Sequence, residues 1–269
     1  MHRERTMYDH YEMLKVTKQG KVVTVAFNRP ELKNATNPQM HQELVRIFPE
    51  IGRDPEANVV ILTGEGDCFS AGGDVSALKN SLDDHLRWNE SMIEAADIVN
   101  AIVDLDRPII ARVNGHAMGM GATVALFCDI VVSTKRAKIG DPHVHIGLTA
   151  GDGGSIIWPA LVGYARAKKY LLTGEPITGE VAAEIGLVTE AVEPEELDER
   201  VNGYAEKLAN LPAVAVRTTK KAVNLDLKAR VDAMMDAHLG FETMSHLSAD
   251  HREAVMAFLE KRKPEFTGQ

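Results

Sequence analysis

Residues 107–133 read RPIIARVNGHAMGMGATVALFCDIVVS, and the fold turns on the glycine loop inside that stretch. Pro108 closes the preceding connection, and Ile109 to Val113 then reads as a buried, β-branched strand. The loop Val113 to Val124, VNGHAMGMGATV, follows at once and leads into the apolar run Ala122 to Phe127, read as a helix. Strand, glycine loop and helix in that order leave the first N–H groups of the helix without partners, where its dipole favours negative charge.

Working outward, Cys68 to Val75, CFSAGGDV, repeats the arrangement, with adjacent Gly72 and Gly73 ahead of a helix start at Asp74. Its strand is Asn58 to Thr63, and an earlier strand runs from Lys21 to Phe27. Between those strands Asn37 fits a helix N-cap and Pro38 a first turn, with Met40, Leu44, Ile47 and Ile51 at helical spacing. A longer helix is expected from His85 to Asp104, its inward face formed by Trp88, Met92, Ala95, Ile98, Val99 and Ile102. Alternation of strands and helices gives an α/β class. After Pro194 only helices are expected: 194–210, 213–227, 229–244 and 249–261. The chain thus divides into a core, 1–210, and a helical region, 211–269.

Composition excludes several classes. The formal net charge is −9, from 39 acidic and 30 basic side chains, which disfavours nucleic acid as a partner. The charged first twenty residues lack the apolar block of a secretory signal, and no apolar run reaches the ~18 residues of a membrane span, so a cytoplasmic protein is expected. Cys68 and Cys128 are widely spaced and in no metal-ligand pattern, so both are expected reduced and buried.

Two loops with Gly73 and Met120 47 residues apart can bring two backbone donors to one oxygen, as an enolate or tetrahedral oxyanion requires. Each glycine cluster alone would equally serve as a tight turn. A dinucleotide-binding reading of Gly119-Met-Gly121 is weaker: Val124 stands where a third glycine is needed, and the strand before the loop is at least the third in the chain.

The segments FSAGGDV (69–75) and 107–133 together resemble the two signature blocks of the crotonase (enoyl-CoA hydratase/isomerase) superfamily. FNRPELKNATN (27–37), YLLTGEPITGEVAAEIGLVTEAV (170–192) and FLEKRKPEF (258–266) extend the resemblance over most of the chain. It implies an α/β fold with a ββα spiral core and a C-terminal helical trimerisation region, assembled as a homotrimer or a hexamer of two trimers. It also implies an acyl-CoA substrate, with coenzyme A part of the substrate, and neither a separate cofactor nor a metal. The N–H groups of Gly73 and Met120 take the oxyanion-hole positions, although methionine replaces the usual glycine at 120. Arg29, Lys33 and Ala35 fall in the block that lines the adenine and phosphate region, with Arg29 and Lys33 as its charge partners. Ala71 and Asp74 flank the first donor, and Phe258 and Lys261 match positions that reach the nucleotide from a neighbouring subunit.

The chain departs from the family where hydratases carry two glutamates, because those positions hold Thr123 and His143. Residues 140–154, GDPHVHIGLTAGDGG, supply Asp141, His143, His145 and Asp152, with His41 upstream. A histidine oriented by a carboxylate can act as general acid or base near neutrality, and His143 with Asp152 is the expected pair. His145 is expected to face away from His143 on an extended segment and to be structural. The stretch 141–159 also resembles the 6-oxocamphor hydrolase-like branch, in which His143, Asp152 and His41 match active-site positions. Three functions follow: an acyl-CoA lyase or isomerase working through a thioester enolate; a carbon–carbon bond hydrolase acting on a small β-diketone or a 3-oxoacyl-CoA; and a non-catalytic CoA-ester binding subunit.

Overall fold

The computed structural model describes residues 7–269; the first six residues of the expected core and of the charged leading segment lie outside the described residues. In chain order the elements are β1 (Leu14–Gln19), β2 (Val22–Phe27), α1 (Pro38–Arg53), β3 (Val59–Gly64), α2 (Val75–Ser81), α3 (His85–Asp104), β4 (Ile109–Val113) and β5 (Ala117–Met118). There follow α4 (Met120–Leu126), β6 (Ile130–Thr134), β7 (Lys138–Gly140), α5 (Gly154–Thr173), β8 (Ile177–Thr178), α6 (Gly179–Glu184), β9 (Glu190–Val192), α7 (Leu197–Asn210), α8 (Ala213–His246) and α9 (Ala249–Leu259).

Six strands form one sheet in the order β1-β2-β3-β4-β6-β9, antiparallel only between β1 and β2, and β5-β7-β8 form a second. A strand in the large sheet, a short strand in the small sheet and then a helix recur as β4-β5-α4 and β6-β7-α5, two turns of the expected ββα spiral. β3 is buried along its whole length, because helices cover both of its faces. One core cluster packs α1, α3 and α5 on one face through Phe27, Phe48, Ile98 and Trp158, while α7 seals the other through Leu197 and Val201. Burial of each such side chain is worth about 1.5–3 kcal/mol.

The α1 and α3 helices occupy the spans their periodicity predicts. Asn37 caps α1 by accepting from Met40 N at 2.8 Å. The C-terminal region differs from expectation, since a single 34-residue helix, α8, replaces the two shorter ones. No proline or glycine occurs between Ala213 and Leu239, so the backbone has no local cause to stop. α8 joins the main core through Val231, Met235 and Leu239. It is also pinned by Lys220, whose buried Nζ donates to Arg107 O at 3.0 Å and lies 2.7 Å from Asp129 Oδ2. Both cysteines are free and buried. Among the described residues no helix is long and apolar enough to cross a membrane.

Candidate active site

The two glycine loops meet. Ser70 N donates to His116 O at 3.0 Å, and Met118 N donates back to Ser70 O at 3.0 Å, so the loops run side by side. Gly72 adopts φ +89 and passes so close to its neighbour that a Cβ there would lie 2.8 Å from Met118 O. Gly119, at φ +50, turns the second loop into α4, whose first residue is Met120 rather than Ala122. Only glycine takes both backbone angles without strain.

The N–H groups of Gly73 and Met120 donate to no group of the described residues. Both residues line one cavity of about 770 Å³, together with Ala35, His41, Ala71, Asp74, His143, Asp152, Glu242 and Phe258. The Met120 side chain turns into the main core, so its backbone is what the loop presents.

His143 sits beside these loops: a Cβ on Gly119 would lie 3.6 Å from its Cε1. Residues 143–146 form a 3-10 turn, not the extended segment expected from alternation. His145 leaves the site on that turn, its Nε2 bonded to Thr173 O at 2.8 Å. His143 Nδ1 contacts Asp141 Oδ1 directly, and its Nε2 lies 3.6 Å from Asp152 Oδ2. The carboxylate that fixes the ring is therefore Asp141, and Asp152 faces the other nitrogen across a gap. Thr123 donates to Asp152 Oδ1 at 3.3 Å and so holds that carboxylate in place.

Burial opposes a charge on His143, but the charges of Asp141 and Asp152, the Asp141 hydrogen bond and the charge of Glu242 outweigh it and raise its pKa well above the usual imidazole range. Burial, reinforced by Asp141 and opposed by His143, raises that of Asp152. Glu242 completes the cluster from α8. Its Oε2 is buried without a partner, and burial first, then Asp152 and Asp141, push its carboxyl up to about 8. Sequence reading passed over Glu242, which lies 90 residues from Asp152. The signal was present: Val231, Met235, Leu239, Glu242 and His246 form the buried stripe of α8, and a glutamate at an inward position requires a reason.

Asp141, His143 and Asp152 offer ligand atoms within 4.8 Å of one another. Contact with Asp141 occupies Nδ1, however, which leaves Nε2 and Asp152 to face the cavity, two donors where a catalytic metal site ordinarily has three.

His41 projects from the first turn of α1 into the cavity, and burial lowers its pKa to about 4, so it is neutral. Arg29 is not available to a phosphate in this conformation: its guanidinium pairs with Asp74 Oδ2 at 3.1 Å and donates to Ala35 O at 2.6 Å. Lys33 is exposed and has no ion-pair partner among the described residues. Phe258 lines the cavity of its own chain, whereas Lys261 is exposed at the end of α9 and does not reach it.

Residues 17–269 match the family described as enoyl-CoA hydratase/isomerase. The chain is 36% identical over 253 residues to the short-chain-enoyl-CoA hydratase of Clostridium acetobutylicum, covering 92% of this chain and 95% of that protein. It is 33% identical over 252 residues to the 1,2-epoxyphenylacetyl-CoA isomerase of Escherichia coli, covering 92% and 95%. The solved structure of an enoyl-CoA hydratase/isomerase from Mycobacterium paratuberculosis superposes with a TM-score of 0.88 at 34% identity, covering 93% of this chain and 99% of that one. With the ββα spiral and the paired glycine loops in place, the chain belongs to the enoyl-CoA hydratase/isomerase family of the crotonase superfamily.

Proposed function

We propose that the protein is an acyl-CoA enzyme in which the N–H groups of Gly73 and Met120 hold the thioester oxygen while His143 moves a proton at the adjacent carbon. The observation that carries this reading is the pair of unpartnered amides on touching loops, lining the same cavity as His143. An enolate forming there gains two fixed donors at the moment charge builds up, which lowers the barrier without reorganisation. Asp141 orients the ring and leaves Nε2 toward the substrate. Glu242, carrying its proton up to a pH of about 8, is a second proton source in the same cavity. Lys33, exposed and without an ion-pair partner among the described residues, would meet the CoA phosphates, and Ala35, Ala71 and Phe258 supply contact surface. The protein acts as a homotrimer or a hexamer, an assembly that would bury the apolar side chains of Val223, Leu225, Phe241 and Met244 exposed along α8.

A hydrolytic reading is favoured by one distance. The 3.6 Å between His143 Nε2 and Asp152 Oδ2 is too long for a direct hydrogen bond and suits a bridging water. In that reaction the water adds to one carbonyl of a 1,3-dicarbonyl, giving a proton to the His143/Asp152 pair. The carbon–carbon bond then breaks, its electron pair passes into the enolate held by Gly73 and Met120, and the stored proton returns to carbon.

Steady-state turnover of a short enoyl-CoA, a 3-oxoacyl-CoA and a CoA-free β-diketone separates the readings. Hydration or isomerisation of the enoyl-CoA supports the first, and release of a free carboxylic acid from either dicarbonyl supports the second. Ester binding without turnover of any of the three contradicts both and leaves a non-catalytic binding subunit.

A further inference from the structure

The main cavity continues into a side chamber of about 260 Å³ between α1, α2 and α3. His41, Leu78, Trp88 and Ser91 line both spaces, as do Gly73 and Asp74 of the first glycine loop, so together they form the junction. Met92, Ala95 and Leu148 give the main cavity an apolar lining, but the chamber is polar, lined by Gln42, Arg87, Glu90 and Glu94. At the junction His41 Nδ1 is buried with no hydrogen-bond partner, and Glu94 Oε2 lies 3.7 Å away. The two are too far apart to bond each other and close enough to share one ligand oxygen.

We infer that the junction of the two cavities is a specificity site for an acyl group bearing a neutral hydroxyl at its far end, which donates to Glu94 and accepts from His41. A plain alkyl tail would leave His41 Nδ1 buried without a partner and add nothing to the Gln42 hydrogen bond of Glu94, which costs selectivity against it. A distal carboxylate would meet Glu94 and Glu90, with Arg87 as the one basic group of the chamber lining. Burial holds Glu94 above the usual carboxylate range, opposed by Gln42 and assisted by Glu90 and Asp97. The inference rests on the acyl-CoA reading above and extends it to the class of acyl chain.

The test compares kcat/KM for three CoA-ester series of increasing chain length: unsubstituted, terminal hydroxyl and terminal carboxylate. At the length that reaches the junction, the hydroxy ester is expected to exceed its unsubstituted parent by about tenfold or more. The carboxylate is expected to fall below both. Glu94→Leu should abolish the hydroxyl preference, lowering kcat/KM for the hydroxy ester and raising it for the unsubstituted parent, and Glu94→Gln should retain part of the preference. Equal use of alkyl and hydroxy esters at every length, or a preference that survives Glu94→Leu, overturns the inference. Failure of every series, including the unsubstituted parents, to bind or turn over overturns the acyl-CoA reading together with it, and is distinguished by the loss of the parents.

Discussion

Replacing Asp141 by asparagine isolates the part of the site that the structure reassigns. The amide keeps the volume of a fully buried side chain, so packing around residues 140–154 is preserved while the negative charge facing His143 Nδ1 is lost. Among the influences that raise the His143 pKa against its burial, the charge of Asp141 comes first. In Asp141→Asn the imidazole should titrate at a lower pH, and the pH dependence of kcat/KM assigned to it should move toward acid. A hydrogen bond to a charged partner is worth about 1.5–3 kcal/mol, so a role in orienting or charging the ring predicts a fall in kcat of roughly 10- to 100-fold. KM should change less, because Asp141 does not line the cavity. The assay is steady-state kinetics across neutral pH on whichever thioester is turned over, with circular dichroism to establish the fold. An unmoved profile with unchanged kcat would refute the assignment of Asp141 as the positioning carboxylate.

Other consequences follow from the same geometry. Gly72→Ala forces a side chain onto a backbone at φ +89 and against Met118 O, so it should separate the two loops and abolish turnover. Backbone strain of this kind costs about 1–3 kcal/mol, which thermal denaturation should register as a modest loss beside a folded spectrum. Lys220→Met removes the buried cation that ties α8 to Asp129 and Arg107. Because Asp129 is partly exposed, the loss should be about 1–3 kcal/mol, seen as a Tm several degrees lower. Glu242 binds its proton more tightly in the folded chain, so its stabilising contribution is complete below its ordinary value of 4.5 and is lost as pH rises to about 8. Glu242→Gln should therefore flatten the fall of Tm with pH across that window, and an unaltered slope would mean that Glu242 is not a buried acid.

What the sequence disclosed and what it withheld divide along physical lines. The periodicity of 85–104 and the cap at Asn37 are local, and α1 and α3 lie where those signals put them. The two glycine loops were legible because strained, close-approaching backbone demands glycine at Gly72 and Gly119. The first strand, LKVTKQ, alternates and turns at Gly20, a hairpin signal that sequence reading left unused. Choosing between Asp141 and Asp152 as the partner of Nδ1 depended on the 3-10 turn at 143–146, which alternation of His143 and His145 misrepresents. The helical spacing of Val231, Met235, Leu239 and Glu242 shows that Glu242 faces inward, but which cavity it enters is set by the packing of α8, a contact between distant parts of the chain.

A crystal structure of the protein with an unreactive acyl-CoA analogue would show whether the two loop amides meet at the thioester oxygen. The thioester oxygen is expected about 2.7–3.1 Å from both the Gly73 and the Met120 nitrogens, with His143 Nε2 toward the adjacent carbon. A thioester oxygen that meets only one of those amides, or an acyl group lodged away from both loops, would contradict that expectation.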